Sequence, residues 1–162
     1  MSTTSAPTSG PARDVLALLP FVAAVAAVAV LGGLAAGSSA QTYRALDLPP
    51  FAPPSWLFGP VWTVLYVMIA VAGWLAWRAG AGVPGLAAWV AQLLLNLAWT
   101  PLFFAADRYG WALVDIAALL VAIVAVIALF ARVSRAAAWL LAPYLLWVGF
   151  ATALNAAIVI LN

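Results

Sequence analysis

Five apolar runs, each close to the length that crosses a bilayer, leave this chain few ways to fold. They lie at about 15–37, 56–77, 86–104, 111–130 and 136–161, and a hydrocarbon core needs about 20 helical residues. In lipid every backbone polar group must be satisfied internally, so only helices and closed barrels can span. A barrel would alternate apolar and polar residues over segments of about 10, whereas these runs are apolar on every side. The expectation is an all-α membrane protein: a five-transmembrane-helix bundle forming one domain over 13–162. A Ser, Thr, Pro, Gly and Ala tail at 1–12 precedes it and is expected to be disordered.

Composition then limits the chemistry. Of the 162 residues 69% are hydrophobic and 6% charged, with a net charge of +2. There is no basic patch for nucleic acid. Cys and His are both absent, which removes disulfides and the usual protein ligands of zinc, iron–sulfur clusters and haem iron. No metal site and no required cofactor are expected, and neither a nucleophile triad nor an acid–base pair is evident. Arg13, the first apolar run and Ser38-Ser39-Ala40 resemble a secretory signal with its cleavage site. The run exceeds the usual apolar core of about 7 to 15 residues, so a retained helix is expected.

The loops carry the orientation signal. Arg13, Arg78, Arg132 and Arg135 fall on the side of the N-terminus, and Arg44 and Arg108 on the other. Four against two places the N-terminus in the cytoplasm. The most irregular stretch runs from Pro49 to Tyr66, with four of the 11 prolines between Pro49 and Pro54. Proline fixes its own φ and restricts the residue before it, so this is a stiff, extended loop. Pro60 then suits the first turn of the second helix.

Polar and aromatic residues inside the runs mark candidate sites. Gln92, Asn96, Trp99 and Phe103 step by four, three and four along one face of the third helix. Their amides must find partners in hydrocarbon, either across helices or on a ligand. Tyr144, Trp147, Ala151 and Asn155 repeat the pattern on the fifth helix, and Trp62, Tyr66, Gly73 and Trp77 form a stripe on the second. Trp56, Trp77, Trp89 and Trp139, near helix ends, are expected to be interfacial anchors, with Trp62, Trp99 and Trp147 deeper. Asp115 lies four residues after Trp111 and is expected to form a structural clip with Arg108, a proton relay being the alternative. Ala29, Gly33 and Gly37 on the first helix allow close packing, inside the bundle or across a dimer.

Four stretches together resemble the TspO/MBR family of tryptophan-rich sensory and translocator proteins. They are Pro53-Pro54-Ser55-Trp56-Leu57-Phe58-Gly59-Pro60-Val61-Trp62-Thr63-Val64-Leu65-Tyr66, Gln92-Leu93-Leu94-Leu95-Asn96-Leu97-Ala98-Trp99-Thr100-Pro101-Leu102-Phe103-Phe104, Gly110-Trp111-Ala112-Leu113-Val114-Asp115 and Pro143-Tyr144-Leu145-Leu146-Trp147-Val148-Gly149-Phe150-Ala151-Thr152-Ala153-Leu154-Asn155. The resemblance implies a five-helix bundle, often a homodimer, in a bacterial cell membrane, with a pocket closed by the loop between helices one and two. It implies porphyrins such as protoporphyrin IX as ligands, held in a sensory, regulatory or transport role. Family pocket positions carry over to Trp62, Asn96, Trp99, Trp111, Trp147, Ala151 and Leu154. The helical faces add Tyr66, Gln92 and Phe103, and the loop adds Phe51. Arg44 and loop N–H groups are the nearest candidates for porphyrin propionates. Some members are proposed to degrade porphyrin in light through pocket tryptophans, which gives the alternative function.

Two departures matter. The family loop reads Lys-Pro-x-Trp-x-Pro-Pro, whereas Leu48-Pro49-Pro50-Phe51-Ala52-Pro53-Pro54 has no indole at that point. At the C-terminus the Tyr and Arg of the animal cholesterol-recognition pattern are absent, so specific sterol binding through it is not expected.

Overall fold

A computed structural model describes residues 11–37 and 39–162. Helix α1 (Pro11–Leu16) turns into α2 (Leu19–Ala36), and together they carry the first membrane span, Asp14–Ala36. A short helix, α3 (Ser39–Ala45), occupies part of what the sequence presents as loop. The proline-rich segment follows, then a single 3₁₀ turn (Ser55–Leu57) that feeds α4 (Phe58–Arg78). The third span is α5 (Val83–Thr100) with a π turn at Pro101–Ala105, and the fourth is α6 (Tyr109–Ala131). The fifth span is split into α7 (Arg135–Leu140) and α8 (Ala142–Leu161). The five expected spans are present, and among the described residues no strand occurs. Of the expected tail, residues 1–10 lie outside the described residues, while Pro11 already begins a helix.

Three spans are interrupted where a smooth helix was expected, each time beside a proline. Pro20, Pro101 and Pro143 lack the N–H that an unbroken helix needs and crowd the preceding turn. The chain answers with a turn at residues 17–18, a π turn whose end bonds Ala106 N to Pro101 O at 2.9 Å, and a break at Leu141. The interruptions lie near span ends, where freed backbone groups meet water more easily.

Packing closes the spans into a ring. The first packs on the second and third, the third on the fourth, the fourth on the fifth, and the fifth back on the second. The first span contributes Val25, Val28 and Gly32 to the interior. It is tied to the second by Trp74 Nε1 donating to the Asp14 carbonyl at 2.8 Å and by an Arg78–Asp14 ion pair at 3.3 Å.

One half of the ring is solid. On the side of the N-terminus Ile69, Ala72, Ala76, Trp89, Val126 and Phe130 fill the centre. Trp89, expected at an interface, is only 3% exposed, and its Nε1 donates to the Ile69 carbonyl at 3.1 Å. Gly73 makes the room: a Cβ there would meet the Trp89 ring at 2.7 Å and Phe21 at 2.9 Å. Trp56, Trp77 and Trp139 do lie exposed at span ends.

Candidate functional site

In the other half the ring is hollow. A cavity of about 370 Å³ is walled by all five spans, and its roof is Ser39, Ala40 and Tyr43 of α3 with Ser55, at the two ends of the proline-rich connection. Such a volume falls in the range of small-molecule sites, roughly 300 to 1,000 Å³. From α4 come Phe58, Trp62 and Tyr66; from α5, Asn96, Trp99 and Thr100; from α8, Trp147 and Ala151. α6 adds Ile116 and Leu119 at the back. The α2 wall is made of Ala29, Gly32, Gly33 and Ala36, whose lack of bulk keeps that side open.

The aromatic walls are braced from behind. Trp62 lies 5.3 Å from Tyr66, tilted by 33°, and meets Tyr144 edge-on at 6.1 Å. Trp147 contacts Phe58 edge-on at 5.9 Å. Trp99 stacks on Phe103 at 4.9 Å, and its Nε1 donates to Asn155 Oδ1 at 3.1 Å. Asn155 in turn donates to the Tyr109 carbonyl at 3.0 Å. The fifth helix thus fixes the plane of a third-helix indole. A second set of bonds joins Tyr66, Asn96, Tyr144 and Gln92 across three spans. Among the described residues the Trp147 Nε1 is buried without a partner, a donor that an acceptor on a ligand could satisfy.

The roof is tied down at both ends. Tyr43 of α3 donates from its hydroxyl to the Pro53 carbonyl at 3.0 Å and packs edge-on against Phe58 at 5.3 Å. Burial raises its phenol above the ordinary tyrosine range. Asn162 exchanges two hydrogen bonds of 3.1 Å with the backbone N–H and carbonyl of Asp47. Arg44 is exposed beside the cavity-lining Ala40 and Tyr43, and its Nε donates to the Ala40 carbonyl at 2.9 Å.

The structure brings Trp62, Tyr66, Asn96, Trp99, Trp147 and Ala151 together on the cavity. It places five other expected site residues elsewhere. Gln92 is 1% exposed and sits behind the wall, bonded to Tyr144. Phe103 and Leu154 are buried in a separate cluster with Tyr43 and Ala112 at the end of the bundle opposite the N-terminus. Phe51 is 52% exposed and reaches Trp147 only through Phe150. Trp111 is 65% exposed and lines a shallow outer groove with Arg108. The family resemblance placed it in the pocket, whereas the α6 residues that meet the cavity are Ile116 and Leu119.

The Arg108–Asp115 clip is not made. Asp115 Oδ2 is buried without a partner among the described residues, and seven helical residues hold the two about 10 Å apart along the axis, leaving Arg108 exposed at the span end. Of the interhelical partners available to Asn96 and Gln92, tyrosines are the ones used. Two cavity features were not singled out. Phe58 and Phe104 stand in the sequence among ordinary apolar residues, and the small residues of the Ala29 to Ala36 wall, its one available signal, read equally as helix packing.

These observations define a multi-pass integral membrane protein with a tryptophan-walled cavity among five helices. Residues 21–161 match the TspO/MBR family, and the chain belongs to it. It is 40% identical over 152 residues to the tryptophan-rich protein TspO of Archaeoglobus fulgidus, covering 92% of this chain and 99% of that one. It is 40% identical over 124 residues to the human translocator protein, covering 74% and 73%. With the tryptophan-rich sensory protein of Cereibacter sphaeroides the identity is 36% over 138 residues, 85% of each chain.

Proposed function

We propose that this protein binds a tetrapyrrole, a porphyrin such as protoporphyrin IX, and acts in sensing, regulation or transport of that ligand. The observation that carries this is the set of three indoles, Trp62, Trp99 and Trp147, on one cavity. A flat macrocycle against such rings gains about 0.5 to 1.5 kcal/mol per stacked pair beyond area burial. Relatives carry names that speak of sensing and translocation. With no His or Cys in the chain, a porphyrin would be held by its faces and edges, not through an imidazole or thiolate on a central metal. Arg44 and the roof backbone stand nearest to take the propionates. The arginine balance favours a cytoplasmic N-terminus, which puts the roof outside, and the protein is proposed to work as a homodimer. No cofactor is needed for binding.

The same indoles favour a second function, light-dependent breakdown of the bound porphyrin. One experiment separates the two. Detergent-solubilised protein is titrated with protoporphyrin IX in the dark, following tryptophan fluorescence, beside Trp147→Leu and Trp111→Leu. Saturable quenching weakened by the first substitution and not by the second supports the cavity assignment. New absorbing products formed by the unsubstituted protein only after illumination favour the degrading function. Non-saturable quenching identical in all three proteins means partition into the micelle, and the tetrapyrrole proposal fails.

A further inference from the structure

A chain of three hydrogen bonds runs from the cavity to a dead end behind its wall. The Tyr66 hydroxyl donates to Asn96 Oδ1 at 3.0 Å, Asn96 Nδ2 donates to the Tyr144 hydroxyl at 3.2 Å, and Tyr144 donates to Gln92 Oε1 at 2.9 Å. Tyr66 and Asn96 line the cavity. Tyr144 is fully buried, Gln92 nearly so, and Gln92 Nε2 has no partner among the described residues. Every member of the chain can both donate and accept. A hydroxyl can swing its proton and a carboxamide can turn half a revolution at nearly fixed heavy-atom positions. The same three bonds can therefore be made with every donor and acceptor exchanged.

The two arrangements differ only at the ends of the chain. In the first, the cavity meets the Tyr66 oxygen as an acceptor, and the unpartnered group at the far end is the Gln92 amide nitrogen. In the second, Tyr66 turns its O–H to the cavity, and the unpartnered group is the Gln92 carbonyl. Each keeps three bonds and leaves one buried orphan in the same place, so bond counting favours neither.

We propose that this chain is a reversible polarity relay, and that Gln92, which does not touch the cavity, is the positioning residue that lets the Tyr66 wall either donate or accept. The cavity then takes flat aromatic ligands bearing a carbonyl or an N–H at that point. The inference rests on the cavity taking a flat aromatic ligand and does not require that ligand to be a tetrapyrrole.

Gln92→Met keeps similar bulk and removes the amide donor and the strong acceptor at the dead end, leaving only a weak thioether sulfur. The Tyr144 proton then has Asn96 Oδ1 as its remaining partner in the chain, Asn96 turns its Nδ2 to Tyr66, and Tyr66 presents its O–H to the cavity. Two planar tricycles of similar size read the change by isothermal titration calorimetry on the full-length protein in detergent: 9-fluorenone, which only accepts, and carbazole, whose N–H only donates. Relative to the unsubstituted protein, fluorenone should bind roughly three- to tenfold tighter and carbazole weaker by a similar factor, the worth of one neutral hydrogen bond. Gln92→Leu, a second apolar replacement of different shape, should shift the pair in the same sense. In a Tyr66→Phe background neither substitution should alter the ratio.

Equal loss of both ligands would mark a merely structural role and overturn the proposal. So would a ratio that still shifts without the Tyr66 hydroxyl, or no saturable binding of either tricycle to the unsubstituted protein. Tricycle binding with the expected shift, beside a failed porphyrin titration, would sink the tetrapyrrole function and leave the relay standing.

Discussion

On the side of the N-terminus the five spans close on Trp89, Ile69 and Phe130, whereas beneath the roof the same spans stand around an open cavity. Ring order and helix chemistry are shared, so the difference comes from where bulk and small residues fall. In the solid half a glycine on one helix, Gly73, faces a tryptophan on another, and the indole drops into the ring centre. In the hollow half small residues, Ala29, Gly32, Gly33 and Ala36, face the opening, and the large rings opposite them are held back. Trp99 is tied to Asn155, and Tyr66 to Asn96. These bonds hold the two rings at the wall, so the space stays available for a ligand. A glycine in direct contact with a ring closes the centre into core; small residues across from rings held at the far wall leave a cavity.

The sharpest way to break this contrast is at the glycines. Gly73→Val should lower stability by about 3 kcal/mol or more, because overpacking a well-filled core is costly, with Trp89 and Phe21 already within 2.9 Å of the new Cβ. Thermal unfolding followed by circular dichroism in detergent checks this; an unchanged midpoint would mean that the indole does not fill the ring. Next comes the tether. Asn155→Leu leaves the Trp99 indole N–H and the Tyr109 carbonyl without their partner, at a cost of about 1 to 3 kcal/mol, and should also loosen the cavity wall. Porphyrin quenching should weaken together with the midpoint.

Smaller effects belong to the roof and the open wall. Asn162→Ala removes two exposed hydrogen bonds to Asp47 and should cost no more than about 1 kcal/mol. Hydrogen exchange should rise around residues 46–54 without a change in the interior of α6; no rise would show that the roof is held by Tyr43 alone. Smallest of all, Gly33→Ala meets nothing within 4 Å. It should leave stability unchanged or raise it by up to about 1 kcal/mol through helix propensity. A marked loss there would mean that the α2 wall packs tightly and that the cavity is closed.

The architecture was largely legible in the chain, because bilayer physics ties a run of apolar residues to a helix of known length. The five spans fell within a few residues of their expected bounds, and the single helical faces of Trp62 with Tyr66, Asn96 with Trp99, and Trp147 with Ala151 reached the cavity together. Breaks beside Pro20, Pro101 and Pro143 were not foreseen, since proline within a span is tolerated and its local answer depends on the neighbours. Trp89 looked like an anchor by position, and only contact with Gly73 shows it as core. Gln92 and Asn96 share a face, yet one lies behind the wall and the other on it, because four residues along a helix is about 6 Å of depth.

By itself the sequence determined the class of the molecule: apolar length demanded spanning helices, and the missing His and Cys removed the common metal chemistries. Which polar and aromatic residues meet, and which merely share a helix, was decided by the tertiary structure alone. The ring order sets each helix's rotation towards its neighbours, and a periodicity read along one helix carries no information about what stands across from it.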